Sequence, residues 1–179
     1  MSRRITILLA AAAALSLTAV AIGTAAAAAP KAPTKKRMSI VGHFVFKAGQ
    51  SVFDDQRFTP RKFDIASGGH VTLRNRAKTE DPHTISLVKK AQLPDSFDCA
   101  VCGEIFAAHG VNEETGDIAN PVVNVGAEGF DQPGDSIVIA PKRKKDVTKV
   151  SFDVTAAKGT TLYFLCAVHP WMQGRIRVR

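Results

Sequence analysis

The stretch YFLCAVHPWMQGRIRV, residues 163–178, sets Cys166, His169 and Met172 at intervals of three. A run of aromatic and branched residues (161–165) leads into the cysteine, and a second run (174–178) leads away from the methionine. Such runs read as strands, so the three side chains fall on one tight loop between two of them. Pro170 stiffens that loop and removes one backbone donor. With strands at both ends, the scaffold decides where the side chains point. Thiolate, imidazole and thioether form a soft donor set. That set suits copper in both oxidation states, most directly as a plane of one Cys and two His with a weak axial Met.

The loop supplies one histidine, so a second must come from His43, His70, His83 or His109. His83 is the best placed. It follows the polar loop 75–82, ends on Pro82 and opens the apolar strand His83-Thr84-Ile85-Ser86-Leu87-Val88. A residue at a strand mouth can face the Cys166 loop across one end of a sandwich. His70 belongs at the opposite end of its strand and His43 lies inside the first one, where an ordinary surface or core histidine is the simpler reading.

Outward from these residues, short β-rich runs alternate with turn signals. Candidate strands are residues 39–46, 62–66, 70–75, 83–89, 136–140, 149–155, 161–166 and 175–178. Val150, Phe152 and Val154 alternate with Ser151, Asp153 and Thr155, the period of a half-buried strand. Ser67-Gly68-Gly69, Gln132-Pro133-Gly134-Asp135 and Lys158-Gly159 punctuate the runs. The expectation is an all-β Greek-key sandwich with one insertion, residues 91–135, whose segment 98–109 is Ala-rich enough for a short helix.

Arg3 and Arg4, an apolar run over 5–22 and small residues over 23–29 form the pattern of a secretory signal. Residues 1–29 are therefore read as a signal peptide, with an uncleaved membrane anchor as the alternative. Residues 30–37 (PKAPTKKR) read as a flexible basic leader, and 38–179 as a single domain with no further membrane span. The formal charge of +8 falls to about +6 without the two arginines, which bears on solubility and steering, not on fold. Short basic runs and few aromatics argue against nucleic acid. Three cysteines are an odd number for an exported chain. Cys99 and Cys102 sit close together and leave Cys166 over. The close pair reads as a local disulfide, with a redox pair or a second metal site that includes His109 as other readings. Lys142-Arg143-Lys144-Lys145 reads as a solvated turn or as a docking patch for an acidic partner.

Two blocks of residues resemble the cupredoxins of the plastocyanin and amicyanin type. The first is Phe58-Thr59-Pro60, Ile65, Gly69-His70-Val71-Thr72-Leu73-Arg74-Asn75 and Pro82-His83-Thr84. The second is Tyr163-Phe164-Leu165-Cys166, His169-Pro170-Trp171-Met172 and Gly174, whose short C-x-x-H-x-x-M loop is similar to that of amicyanin. The resemblance covers most of residues 58–179 outside the insertion. It implies His83 and His169 as equatorial ligands, Cys166 as the charge-transfer thiolate, Met172 as the axial ligand, and one type 1 copper per chain. Thr84 departs from the pattern, because many relatives carry there an Asn that ties the two ligand loops together. The insertion is the second departure.

The function expected is an exported (periplasmic or extracellular) monomeric carrier of single electrons between redox partner proteins, not an enzyme. A copper chaperone or store is the alternative, although three Met in the chain are few for exchangeable sites. A multicopper enzyme needs more histidines than five.

Overall fold

The computed structural model describes residues 31–112, 115, 121–126, 128–141 and 148–179. The signal reading of residues 1–29 and the basic cluster 142–145 lie outside them. In chain order the elements are β1 (Lys35–Val41), β2 (Phe44–Lys47), β3 (Ser51–Asp54), β4 (Arg57–Thr59), β5 (Lys62–Ile65), β6 (Gly69–Asn75), β7 (His83–Val88), helix α1 (Ala100–Ala108), β8 (Asn124–Val125), β9 (Ser136–Ile139), β10 (Lys149–Val154), β11 (Thr161–Leu165) and β12 (Gln173–Val178).

Two sheets form, in the orders β10-β6-β1-β4 and β5-β12-β11-β7-β9-β8, and β2 pairs with β3 as a separate hairpin. The pairs β1/β6 and β5/β12 are parallel and the rest antiparallel. The chain passes repeatedly from one sheet to the other. This is the all-β Greek-key sandwich with one short helix that the alternation predicts.

Residue parity fixes the layers. Val71 and Leu73 of β6 and Phe152 and Val154 of β10 are buried between the sheets, while His70, Arg74, Ser151 and Asp153 face out. From the second sheet Ile85, Leu87, Ile137, Ile139, Leu162, Phe164, Ile176 and Val178 complete the same core. Each fully buried side chain of this size contributes roughly 1.5–3 kcal/mol. β7 is buried at all six positions because its outer face is covered as well. There α1 lays Val101, Cys102 and Ile105 against Val88, Leu165 and Ala167. The insertion is thus a lid on the outer face of the sheet that carries the candidate ligands.

Three differences from the sequence reading have local causes. The candidate strand 39–46 is two strands, broken at Gly42, whose φ is +130°. A Cβ there would stand 2.6 Å from Gln56 Cα, so the chain turns out of the sheet at that point. Second, β1 begins inside the stretch read as leader. Lys35, Lys36 and Arg37 pair with His70, Val71 and Thr72. Backbone pairing asks nothing of side-chain polarity, so a basic stretch can join a sheet. Third, β3, β4 and β8 are four, three and two residues long, too short for any alternation to show. Among the described residues no helix is long and apolar enough to cross a membrane.

Candidate metal centre

Cys166 follows the last residue of β11 and keeps the inward parity of Leu162 and Phe164. His83 begins β7, the antiparallel neighbour of β11, with the inward parity of Ile85 and Leu87. The register therefore brings the two residues to the same end of the sandwich. His83 Nδ1 stands 3.9 Å from Cys166 Sγ, and His169 Nδ1 stands 3.7 Å from it. The two imidazoles are 4.8 Å apart between centroids. One ligand atom from each residue lies within 4.8 Å of the others, and all three residues are buried. Backbone bonds close the loop: Met172 N–H donates to His169 O at 2.8 Å, and Cys166 N–H to Met172 O at 3.0 Å. Met172, on that closed loop, is buried in the core cluster that holds Cys166.

The other histidines lie apart from this cluster. His43 is exposed beside Asp55, and His70 is exposed and bonded to Asp153 at 2.7 Å. His109 is buried beneath α1 on the outer face of the sheet. Cys99 and Cys102 are joined in a disulfide at the start of α1, which leaves Cys166 as the free, buried thiol.

Burial sets the charge state of the three ligand residues. It pushes the Cys166 thiol up, against the pull of four donors: the backbone N–H groups of Thr84, His169 and Val168 and the Thr84 hydroxyl. Burial, with some help from the His169 ring, lowers His83 to about 3. Burial also lowers His169, against the opposing charges of Asp54 and Asp81. Without metal the cluster is one thiol and two neutral imidazoles. Among the described residues His83 Nε2 is the buried side-chain nitrogen or oxygen left without a hydrogen-bond partner. A soft sulfur and two neutral imidazoles, all dry and converging, fit a copper ion.

The lowered His83 has a consequence for the metal-free protein. Below pH 6.5 the unfolded chain takes up a proton at this ring that the folded chain refuses. Stability is therefore complete above that pH and falls as the pH drops toward 3. At pH 4 His83 alone removes on the order of 3 kcal/mol. Urea melts of the metal-free protein at pH 7 and pH 4 measure the loss, and His83→Phe flattens it. Equal losses in the two proteins would refute the assignment.

Thr84 ties the ligand loops although it is not an amide. Its backbone N–H donates to Cys166 Sγ at 3.3 Å, and its Oγ1 accepts the Ala167 N–H at 2.8 Å. The side chain meets the backbone of the ligand loop directly.

Gln56 is a residue that no spacing marked. It is 1% exposed, and its amide nitrogen lies 3.0 Å from His169 Nε2 and 3.1 Å from Asp54 Oδ2. Its Oε1 accepts the Thr79 hydroxyl at 2.9 Å. Gln56 thereby covers Nε2, and His169 is 5% exposed. Trp171 stands edge-on to His169 at 5.1 Å, and Phe97, 82% exposed, stands edge-on to Trp171 at 5.5 Å. These two rings form the aromatic link between His169 and solvent.

No protein-family model and no curated protein matches the chain. Among solved structures it is similar to reduced auracyanin from the photosynthetic bacterium Roseiflexus castenholzii, at 17% identity over 83% of this chain and 99% of that one, with a TM-score of 0.44. A purple cupredoxin from Nitrosopumilus maritimus is 14% identical over 80% of this chain and 99% of that one, with a TM-score of 0.42. A mutant plastocyanin of fern is 16% identical over 80% and 99%, with a TM-score of 0.37. Likenesses at this level carry no residue's role over to this chain.

Proposed function

We propose that this protein is an exported single-electron carrier of the cupredoxin type, with one type 1 copper held by His83, Cys166, His169 and Met172. The observation that carries the reading is the buried sulfur of Cys166 with an imidazole Nδ1 at 3.9 and at 3.7 Å, brought from two strands. Copper, when bound, supplies a one-electron Cu(I)/Cu(II) couple and, with a thiolate, a strong visible absorption. The chain's own part is to hold the ligands still and dry. Antiparallel pairing fixes β7 against β11, and the Cys166–Met172 loop is closed by its own backbone. The N–H groups of Thr84, Val168 and His169 stabilise negative charge on the sulfur. A frame of that kind keeps ligand movement small when the charge changes.

The disulfide of Cys99 and Cys102 supports an oxidising compartment and so an exported protein. The cluster at 142–145 lies outside the described residues; among those, Asp54 and Asp81 are the charges beside His169. We therefore place the contact with a redox partner on the Phe97–Trp171 shelf. Phe97→Ala is expected to slow electron self-exchange by about tenfold, the effect of one lost contact of roughly 1.4 kcal/mol. Line broadening in mixtures of reduced and oxidised protein reads the rate. An unchanged rate would move the exit elsewhere.

The deciding experiment is an absorption spectrum of the copper-loaded protein together with a count of copper per chain. One copper and an intense visible band are expected. A colourless protein with one copper would overturn the proposal. Rapid loss of copper to a weak chelator would favour the chaperone reading.

A further inference from the structure

The outer face of β7 and β9, beneath α1, carries an unbroken run of buried polar groups. Ser86 and Ser136 are direct cross-strand partners, and their hydroxyls share a hydrogen bond of 2.6 Å. Ser86 O–H donates to Thr84 Oγ1 at 2.9 Å. At the other end His109 Nε2 lies 2.7 Å from Ser136 Oγ. The opposite nitrogen, Nδ1, faces the Val122 carbonyl at 2.5 Å and so carries a proton for it; Nε2 then accepts the Ser136 O–H, and the one Ser86 proton serves both Ser136 Oγ and Thr84 Oγ1. Val122 N–H in turn donates to the His109 backbone carbonyl at 3.1 Å, so the two residues are bonded twice. Thr84, Ser86, His109 and Ser136 are all at least 95% buried.

We infer that His109, delivered by the insertion, is a positioning residue for the metal centre: through Ser136 and Ser86 it fixes the Thr84 hydroxyl that holds the ligand loop at Ala167. The inference rests on the reading of Cys166 as a copper ligand. Three arguments support it. First, strand parity asks for no polar group on a covered face, and each unpaired hydroxyl there would cost about 1–3 kcal/mol. Apolar residues at 84, 86 and 136 would pack the same face without that risk. Second, the run ends at the site. Thr84 Oγ1 accepts from Ser86 O–H and from Ala167 N–H, so both lone pairs are taken. The Thr84 backbone N–H donates to the sulfur at 3.3 Å, so the residue that the run holds is itself in contact with the ligand. Third, Thr is free to divide between rotamers unless a partner selects one, and Ser86 is that partner.

Loosening the run frees the loop at residue 167 and, with Thr84 less firmly held, weakens the Thr84 N–H bond to the sulfur. A sulfur with fewer donors is more electron-rich and favours Cu(II). Two readouts test this. In the metal-free protein, Ser86→Ala and His109→Leu are each expected to speed exchange of the Ala167 amide by about tenfold, the loss of roughly one hydrogen bond. The amide of Val71, in the opposite sheet, stays as it was. In the loaded protein at a fixed ambient potential, each variant lowers the Cu(I):Cu(II) ratio at least threefold. The double variant goes no further than the larger single one, because both cut one run. Ser86→Thr, which keeps the hydroxyl, restores wild-type behaviour in both measurements. Unchanged Ala167 exchange in Ser86→Ala, or effects of the two variants that add in full, would overturn the inference. Should the wild type bind no copper, the ligand reading fails by itself and the exchange measurement still decides whether His109 holds the loop. If His109→Leu does not fold, Ser136→Ala cuts the run at its middle and takes its place.

Discussion

Cys166→Ser is expected to abolish the visible absorption of the copper-loaded protein and to weaken copper binding by more than about a hundredfold, since loss of even an indirect supporting contact to a metal ligand costs 10–100-fold. The sulfur is the point on which both imidazoles converge, at 3.9 and 3.7 Å from Nδ1. Serine keeps the size and a hydrogen-bond acceptor for Thr84 N–H, but its oxygen is hard and does not ionise near neutral pH. The charge-transfer transition disappears because it begins on the thiolate. The fold should survive. Cys166 is fully buried and its thiol is neutral in the metal-free chain, so the exchange places one hydroxyl against an existing donor. Such a buried hydroxyl costs about 1–2 kcal/mol. Circular dichroism and urea melts of the metal-free variant check that part, and copper titration under absorbance checks the other. A variant that folds and keeps its colour would remove Cys166 from the centre and with it the proposed function.

What the sequence disclosed follows from the range over which each feature is determined. The loop from Cys166 to Met172 is local, and its spacing needed no partner to be read. Parity gave the inner face of β6 and β10 for the same reason. His83 was reachable because a proline-ended polar loop followed by an apolar strand marks a strand mouth. Gln56 was not reachable, since its place over His169 depends on the turn at Gly42 and on the return of the chain through β3 and β4. Nothing in residues 51–59 signals that a glutamine will lie beside a residue 113 positions away. The sequence offers His109 as one of four candidates for the second histidine ligand. Of its actual partners, Ser136 is placed by the pairing of β9 with β7, and Val122 by the chain that leads into β8, the other neighbour of β9.

Thr84 shows how a departure from a family pattern can be repaired by neighbours. An asparagine can bridge two loops with its own amide and carbonyl. Threonine has one oxygen, which must be aimed. Here Ser86, Ser136 and His109 do the aiming, and the last of these enters on the insertion. The two departures from the resemblance, the threonine and the added segment, are thus parts of one arrangement.

Phe164→Ala should be the most destabilising single change among those considered, at about 3–5 kcal/mol for loss of a fully buried phenylalanine. The ring is 0% exposed and stands edge-on to Phe58 at 5.2 Å between centroids. It rests on Gly174 of β12, where a Cβ would run into the ring itself and into the Arg61 carbonyl. With no side chain at 174 and a rigid backbone behind it, the space cannot collapse, which places the cost toward the upper end. A loss of this size lowers the melting temperature on the order of 10 °C for a domain of this length. Residue 164 is also two positions before Cys166 on the same inward face, so the cavity opens directly beneath the ligand. Copper should therefore leave the variant faster. Saturating copper recovers part of the stability, about 2.7 kcal/mol at a hundred times the dissociation constant. Thermal melts with and without copper, together with dissociation into a chelator, measure both effects. A loss below about 1 kcal/mol, the size of an ordinary surface change, would mean that the ring is not the floor of the site and that the sulfur is held by its loop alone.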